Sequence, residues 1–234
     1  SKTGLQCPVP IKDNAGKVLQ SCAGRVAAIV SFLDGTSQKF PTVEKCAELG
    51  RALAHFHLKS SSFALKRKNN LGPDGWLPLL QSVNNNLADM PENLKEQAEN
   101  IIHELIAAWP AQLPAGHIHA DLFPNNALFV GDKLTGIIDF YFACNDLFSY
   151  DLAVCLNSWC FDKDGSFNIS KSAHLLKAYQ SIRPLTEDEK QSLHILCSGA
   201  AMRFFLTRLY DWINTPSDAM VKTLDPLEFW ARLR

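Results

Sequence analysis

The chain has 234 residues and 26.0 kDa, is 47% hydrophobic and 20% charged, and carries a formal charge of −1. This composition excludes a disordered polymer, and the absence of a Lys/Arg run argues against nucleic acid or an anionic membrane as the main partner. No apolar run approaches the roughly 20 residues of a membrane helix, and the first residues do not read as a signal peptide. Seven cysteines without a C-x-x-C pair predict reduced thiols in a cytoplasmic protein, each acting as a small hydrophobe.

Residues 1–15, with Pro8, Pro10 and Asp13-Asn14, predict an extended opening segment with turns. A hairpin follows from Gly16 to Leu33. Its first strand lies near Lys17–Gln20, its turn near Ala23-Gly24, and its second strand, Val26–Leu33, is so apolar that both faces should be covered. A lone hairpin is marginal, so these strands are expected as the edge of a sheet whose other members are not in this chain. Thr42 then opens a helix with Cys46, Leu49, Leu53 and Phe56 on one face; His55 and His57 near its end are expected as core or surface histidines. Residues 60–90 should be irregular, with Lys66-Arg67-Lys68 in a solvated loop. A second helix should run from Glu92 to Trp109 on a stripe of Leu94, Ile101, Ile102, Leu105 and Ala108, stopped by Pro110.

The informative stretch is His117–Asp139. It holds His119, Asp121 and Asn126 in the order H-x-D-x-x-x-x-N, then strands Ala127–Val130 and Leu134–Ile138 joined by Gly131-Asp132-Lys133, then Asp139. The hairpin brings Asn126 and Asp139 to neighbouring ends. Phosphoryl transfer from ATP needs a carboxylate facing the acceptor hydroxyl, plus an Asn and a second carboxylate holding Mg²⁺ against the phosphates. Asp121, Asn126 and Asp139 match that set in order and spacing. Asp121 is the candidate catalytic carboxylate, Asn126 and Asp139 the candidate metal ligands, and His119 a brace for the loop. Two other readings compete. The polar residues could merely cap turns, or His117-x-His119 with Asp121 could bind zinc for hydrolysis, although the helical region after Tyr150 lacks the strands of an amidohydrolase-type barrel.

Beyond the hairpin the chain should be helical. Asp151 should cap a helix through Leu152–Trp159, Ser170 should open another through Tyr179, Thr186–Glu189 is a capping box for a helix to about Ile213, and Asp225–Glu228 opens the last one. The aromatic run Phe140–Asp151 places Asn145, Asp146, Tyr150 and Asp151 beyond the metal aspartate. A small amino-alcohol acceptor wants carboxylates near its ammonium group, which makes Asp146 and Asp151 candidate contacts. Arg203, within apolar Ala200–Leu206, must either bridge to a protein carboxylate or read a substrate carboxylate.

The strings HADLFPNN, GIIDFYFACND, YDLAVCLNSWCFD and AAMRFFLTRLYDW resemble bacterial homoserine kinases of the aminoglycoside phosphotransferase-like, or choline kinase-like, superfamily. The match runs from about Leu5 to the C-terminus and is densest from His117 to Trp212. The resemblance implies an α+β, protein kinase-like two-lobed fold, and ATP- and Mg²⁺-dependent phosphorylation of L-homoserine toward threonine. It also implies an adenine-facing hinge at Ser31, Phe32 and Leu33. On it, residues 1–34 are expected as the remnant of a truncated N-terminal β lobe and residues 35–234 as the helical lobe with its catalytic β-hairpin. No G-x-G-x-x-G and no V-A-I-K-like strand precedes the hinge, and Lys2, Lys12 and Lys17 are poor substitutes for a phosphate-gripping Lys. Weak ATP binding and slow turnover are therefore expected of these residues alone; full kinase rates from them would refute that. A kinase of aminoglycosides, choline or a sugar is the nearest alternative, the first calling for an acidic acceptor face. An inactive lobe serving as a binding module is the other.

Overall fold

The computed structural model describes residues 6–83, 90–216, 218–220 and 222–233. Its first element is the hairpin of β1 (Gln20–Cys22) and β2 (Arg25–Ala27), turning on Ala23 and Gly24, both at positive φ. Further along, Ile11 N–H donates to Ile29 O at 2.8 Å and Ser31 N–H to Val9 O at 2.9 Å, which ties the opening segment to the run after β2. Within these residues the run is not covered on both faces. Val26, Ile29 and Phe32 are exposed, and they belong to neither apolar core of the described residues.

Thr42 caps α1 (Val43–Lys59), its hydroxyl accepting from Lys45 N–H, and the predicted stripe points inward with Cys46, Leu49 and Leu53 fully buried. Residues 60–83 are more ordered than expected: they include α2 (Pro73–Ser82), begun by Pro73 after Gly72 and anchored by Trp76 and Leu80. The Pro-Asp-Gly sequence that suggests a turn is here a first helical turn. Residues 84–89 of the predicted irregular stretch lie outside the described residues. Helix α3 (Leu94–Ala108) ends before Pro110; Ala98, not the exposed Ala108, completes its buried stripe.

β3 (Ala115–Ile118) leads to the His119–Asn126 segment. β4 (Ala127–Val130) and β5 (Lys133–Ile137) pair antiparallel across Gly131, whose φ of 61° suits the hairpin turn. An unpredicted strand follows, β6 (Cys144–Leu147), antiparallel to β3 with Gly116 opposite Asp146. Four residues of mixed polarity give no alternation to read.

Helix α4 (Phe148–Trp159) is the axis of the molecule. One side, with Tyr150, Ala153 and Val154, packs with α2, α3, α6 (Glu187–Asn214) and α7 (Leu227–Trp230), and the other, with Leu152, Cys155 and Trp159, packs with α1, the β4–β5 hairpin and α5 (Ile169–Gln180). A helix buried on all sides has no solvent face, and each fully buried Leu or Val contributes about 1.5–3 kcal/mol. Asp151 is not the cap of this helix; it lies in its first turn, with Leu147 at the N-cap. Similarly Asn168, not Ser170, caps α5. The Thr186–Glu189 capping box of α6 forms with both reciprocal bonds. Asp225 accepts from Leu227 N–H, while Pro226 takes the α7 cap position. No helix of the described residues is long and apolar enough to cross a membrane.

Candidate active site

The segment carrying the candidate residues starts where β3 ends, and it is held from behind. Ala120 adopts a left-handed φ of 63°, which costs a non-glycine residue roughly 1–2 kcal/mol. Asp151, fully buried in α4, fixes this turn: Oδ2 accepts from His119 N–H and Oδ1 from Ala120 N–H, each at 2.8 Å. Behind Asp151 stands His57 of α1, its Nε2 3.0 Å from Asp151 Oδ2 and its Nδ1 2.7 Å from Tyr179 Oη. Arg183 donates to Tyr179 Oη at 3.2 Å and to Glu189 Oε1 at 3.0 Å. One proton arrangement satisfies every atom: Arg183 to Tyr179, Tyr179 to His57 Nδ1, and His57 Nε2–H to Asp151. That arrangement needs a neutral imidazole, and burial lowers the His57 pKa accordingly. Burial alone would raise Asp151, but the His57 bond and the backbone N–H groups hold it below the usual carboxylate range.

His119 ties the two halves of the site together. Asp121 N–H donates to its Nδ1 at 3.3 Å, so the ring hydrogen is on Nε2, which donates to the Ile138 carbonyl at 3.0 Å. Asn126 makes a second tie. Its Nδ2 donates to Asp121 O at 2.8 Å and approaches Asp121 Oδ2 at 3.5 Å, while its backbone carbonyl accepts from Ile138 N–H at 2.9 Å. With the amide nitrogen committed to Asp121, the side-chain oxygen of Asn126 is the end left to face a cation. Asp139, next after Ile138, is exposed with a left-handed backbone at φ 62°. Two oxygen donors of this kind, with phosphate oxygens completing the shell, suit Mg²⁺.

Asp121 is partly buried, and its carboxyl is pushed up to about 6. Burial is the main cause, the nearby charges of Asp139 and Asp151 add to it, and Arg203 opposes it. Arg203 Nη2 lies 3.7 Å from Asp121 Oδ1, Nη1 donates to the Ala120 carbonyl, and the guanidinium covers the Phe204 ring at 4.1 Å. The buried Arg therefore bridges to a protein carboxylate, one of the two roles expected for it.

The remaining candidates divide. Asn145 Oδ1 accepts from Arg67 N–H at 2.9 Å and Asn145 N–H donates to Arg67 O at 2.7 Å, so Asn145 anchors the 65–69 loop. Asp146 takes Asn69 Nδ2 at 2.7 Å and Leu147 N–H at 2.8 Å, and burial raises its pKa against the Asn69 bond. Tyr150 and Asp151 are corrections: both are fully buried, Tyr150 edge-on to Trp109 and Asp151 saturated behind the loop, so neither presents a surface to an acceptor. His117 Nε2 contacts Leu65 O at 2.7 Å, away from the bond His119 makes, so the two rings do not share a metal. In the segment expected as the hinge, the Ser31 amide and hydroxyl are both bonded to Val9, and Phe32 is exposed. The segment is fastened to the catalytic hairpin by Thr36, which exchanges backbone bonds with Phe129 at 2.9 and 3.0 Å. Lys2 lies outside the described residues, and Lys12 and Lys17 are exposed. His57 and the Tyr179–Arg183–Glu189 group escaped sequence reasoning as members of the site, because the bonds that join them to it, His57 to Asp151 and to Tyr179, span 94 and 122 residues.

Comparison with known proteins accords with this geometry. The profile described as "Phosphotransferase enzyme family" matches residues 1–185. A homoserine kinase of Rhizobium johnstonii is 50% identical over 234 residues, 100% of this chain and 73% of the relative. One from Xanthobacter autotrophicus is 52% identical over 231 residues, 99% of this chain and 72% of the relative. Among solved structures, amicoumacin kinase hAmiN in complex with AMP-PNP, Ca²⁺ and Ami superposes with a TM-score of 0.74 at 14% identity, covering 99% of this chain and 72% of that one. An aminoglycoside-3'-phosphotransferase of type VIII gives 0.62 at 20% identity, over 85% of this chain and 75% of that one. These two likenesses show a shared kinase-like fold. By sequence, the chain belongs to the phosphotransferase enzyme family and, within it, to the homoserine kinases.

Proposed function

We propose that this site transfers the terminal phosphoryl group of ATP to the side-chain hydroxyl of L-homoserine, with Asp121 as the catalytic carboxylate and Asn126 and Asp139 as ligands of Mg²⁺. Asp121 accepts a hydrogen bond from the acceptor hydroxyl and points its oxygen lone pair at the γ-phosphorus. The new P–O bond forms as the β–γ bridging bond breaks. ADP leaves with the bonding pair, and the hydroxyl proton passes to the Asp121 carboxylate. A bound Mg²⁺ supplies neutralisation of phosphate charge, and the orientation of the Asn126 amide supports its place as a ligand. His119 and Asp151 touch no reacting atom in this reading; they position Asp121 and the strand end that carries Asp139.

Residues 6–34 serve as the nucleotide-facing edge, with the hinge at Ser31–Leu33 beside adenine, and the helical remainder provides the acceptor site. Leu33 supports that place, since it packs on Gly136 of β5 so closely that a Cβ there would meet its side chain at 2.6 Å. The setting is cytoplasmic, in keeping with cysteines that are all free.

The observation that carries the reading is the hydrogen-bonded unit of Asp121, Asn126 and the Ile138–Asp139 strand end. It is tested by coupled ADP release with L-homoserine, choline and an aminoglycoside as acceptors, on this chain and on the full reading frame that encodes it. Homoserine-dependent, Mg²⁺-dependent turnover that disappears in Asp121→Asn is expected. Equal turnover of the other acceptors, or ATP binding that ignores Mg²⁺ in calorimetry, refutes it.

A further inference from the structure

A pocket of about 220 Å³ opens beside Ala120, where the catalytic turn meets the 67–71 loop. Arg67, Lys68, Asn69, Phe142, Cys144 and Arg203 contribute to its lining, and no Asp or Glu does. The carboxylates around it are already committed. Asp146 is bonded to Asn69 and to Leu147 N–H, Asp74 holds Lys68 Nζ at 2.7 Å, and Asp121 faces Arg203 at 3.7 Å. Arg203 itself is 2% exposed, and its Nε–H has no acceptor. A buried N–H without an acceptor is costly, more so on a charged group. An anionic oxygen in the pocket would remove that cost. Arg67 stands on the same wall in a loop held in place, because Asn145 clamps its backbone at both N–H and C=O and one guanidinium nitrogen, Nη1, donates to the Tyr141 carbonyl.

We infer that this pocket is the carboxylate subsite of the acceptor, in which Arg67 and Arg203 receive the carboxylate of an amino acid whose hydroxyl extends to Asp121. The inference rests on the kinase reading above and adds to it the group by which the acceptor is chosen. An acid-bearing amino alcohol fits a wall of three cations and no carboxylate; a polycationic aminoglycoside is repelled by it. Arg203, with Nη1 on the Ala120 carbonyl and Nη2 beside Asp121, offers a carboxylate its Nε–H, a single charge-assisted donor.

The test compares wild type, Arg67→Met, Arg67→Lys and Lys68→Met, with L-homoserine and with 3-amino-1-propanol, which is homoserine without its carboxylate. Steady-state kinetics are paired with calorimetric binding of each acceptor in the absence of ATP. Arg67→Met should raise the KM for homoserine about tenfold or more, with kcat within roughly twofold, and should leave kcat/KM for 3-amino-1-propanol unchanged. Arg67→Lys should recover part of the loss, and Lys68→Met should follow the same pattern more weakly. Homoserine turnover with a KM indifferent to both substitutions, or an equal loss for both acceptors, overturns the subsite and leaves the kinase reading standing. Arg67-dependent homoserine binding with no turnover even from the full reading frame supports the subsite and counts against the kinase reading. Neither binding nor turnover overturns both.

Discussion

Asp121 should cost the fold stability, and the amount can be worked out. Its carboxyl rises from an ordinary 3.8 to about 6, burial being the main cause and the Asp139 and Asp151 charges adding to it against Arg203. At about 1.36 kcal/mol per pH unit, the ionised form is about 3 kcal/mol less favourable in the fold than in the unfolded chain. For an acid whose folded pKa is raised, the unfolded chain gives up its proton first. Stability therefore falls as pH climbs from 3.8 to 6, and the cost is complete above the folded value. Asp121→Asn mimics the neutral carboxyl and cannot ionise. At pH 7.5, without nucleotide or metal, it should be more stable than wild type by about 3 kcal/mol in urea denaturation, and the gap should close almost completely by about pH 4. The same substitution should abolish phosphoryl transfer, since the amide cannot accept the hydroxyl proton. An Asn variant less stable than wild type at pH 7.5, or a gap independent of pH, would falsify the burial argument.

The buried support is testable too. Asp151→Leu leaves His119 N–H, Ala120 N–H and His57 Nε2–H without their acceptor, at roughly 1–3 kcal/mol each, and should prevent folding at 37 °C; Asp151→Asn keeps part of the geometry and should lose about 2–4 kcal/mol. A melting temperature for Asp151→Asn equal to wild type contradicts the role assigned to the carboxylate. Gly50 of α1 lies directly against the Leu175 carbonyl of α5, where a Cβ has no room. Gly50→Ala should therefore destabilise by about 1–3 kcal/mol despite the better helix propensity of Ala, and a gain in stability would show that the α1–α5 approach is looser than described. Asn126→Ala and Asp139→Asn should each weaken ATP binding about tenfold or more in the presence of Mg²⁺ and little in its absence; calorimetry that finds the loss equal in both conditions removes the metal assignment. Homoserine kinase activity should also show an acid limb near pH 6 that moves upward in Arg203→Met, because Arg203 is what restrains the Asp121 carboxyl.

Much of the fold was legible where the signal is local. The Thr42 cap, the capping box at Thr186 and Glu189 and the Gly131 turn each reside within a few residues, and the structure forms each of these local features. What the sequence concealed is non-local. Asp151 at a helix start resembles a cap, yet its partners are His57, 94 residues away, and the amides of His119 and Ala120. No periodicity or propensity encodes that meeting. The same holds for β6, which is strand-like only because β3 lies alongside it, and for Pro73-Asp74-Gly75, which is helical because Trp76 and Leu80 find the α6 side of the core. Val26–Leu33 fails in the opposite direction: an apolar run predicts burial, but burial requires a neighbour.

These non-local contacts explain how a half-buried acid can be kept where it is poorly solvated. The left-handed turn at Ala120 and the raised carboxyl of Asp121 are both unfavourable, and adjacent strained positions would relax together if the backbone could swing. It cannot, because the two N–H groups before Asp121 point backward into one carboxylate, and that carboxylate is fixed by a histidine whose own hydrogen-bond polarity is dictated by Tyr179 and Arg183. Each donor in the series has a single acceptor direction, so the chain of bonds has no second arrangement of similar energy. On the front side the carboxyl is left with Arg203 and Asn126 and a value near 6, which on the proposed reading suits a group that takes a proton from an alcohol near neutral pH. The pull from behind and the exposure in front belong to one design: a reactive carboxylate can be left under-solvated only where its backbone has nowhere else to go.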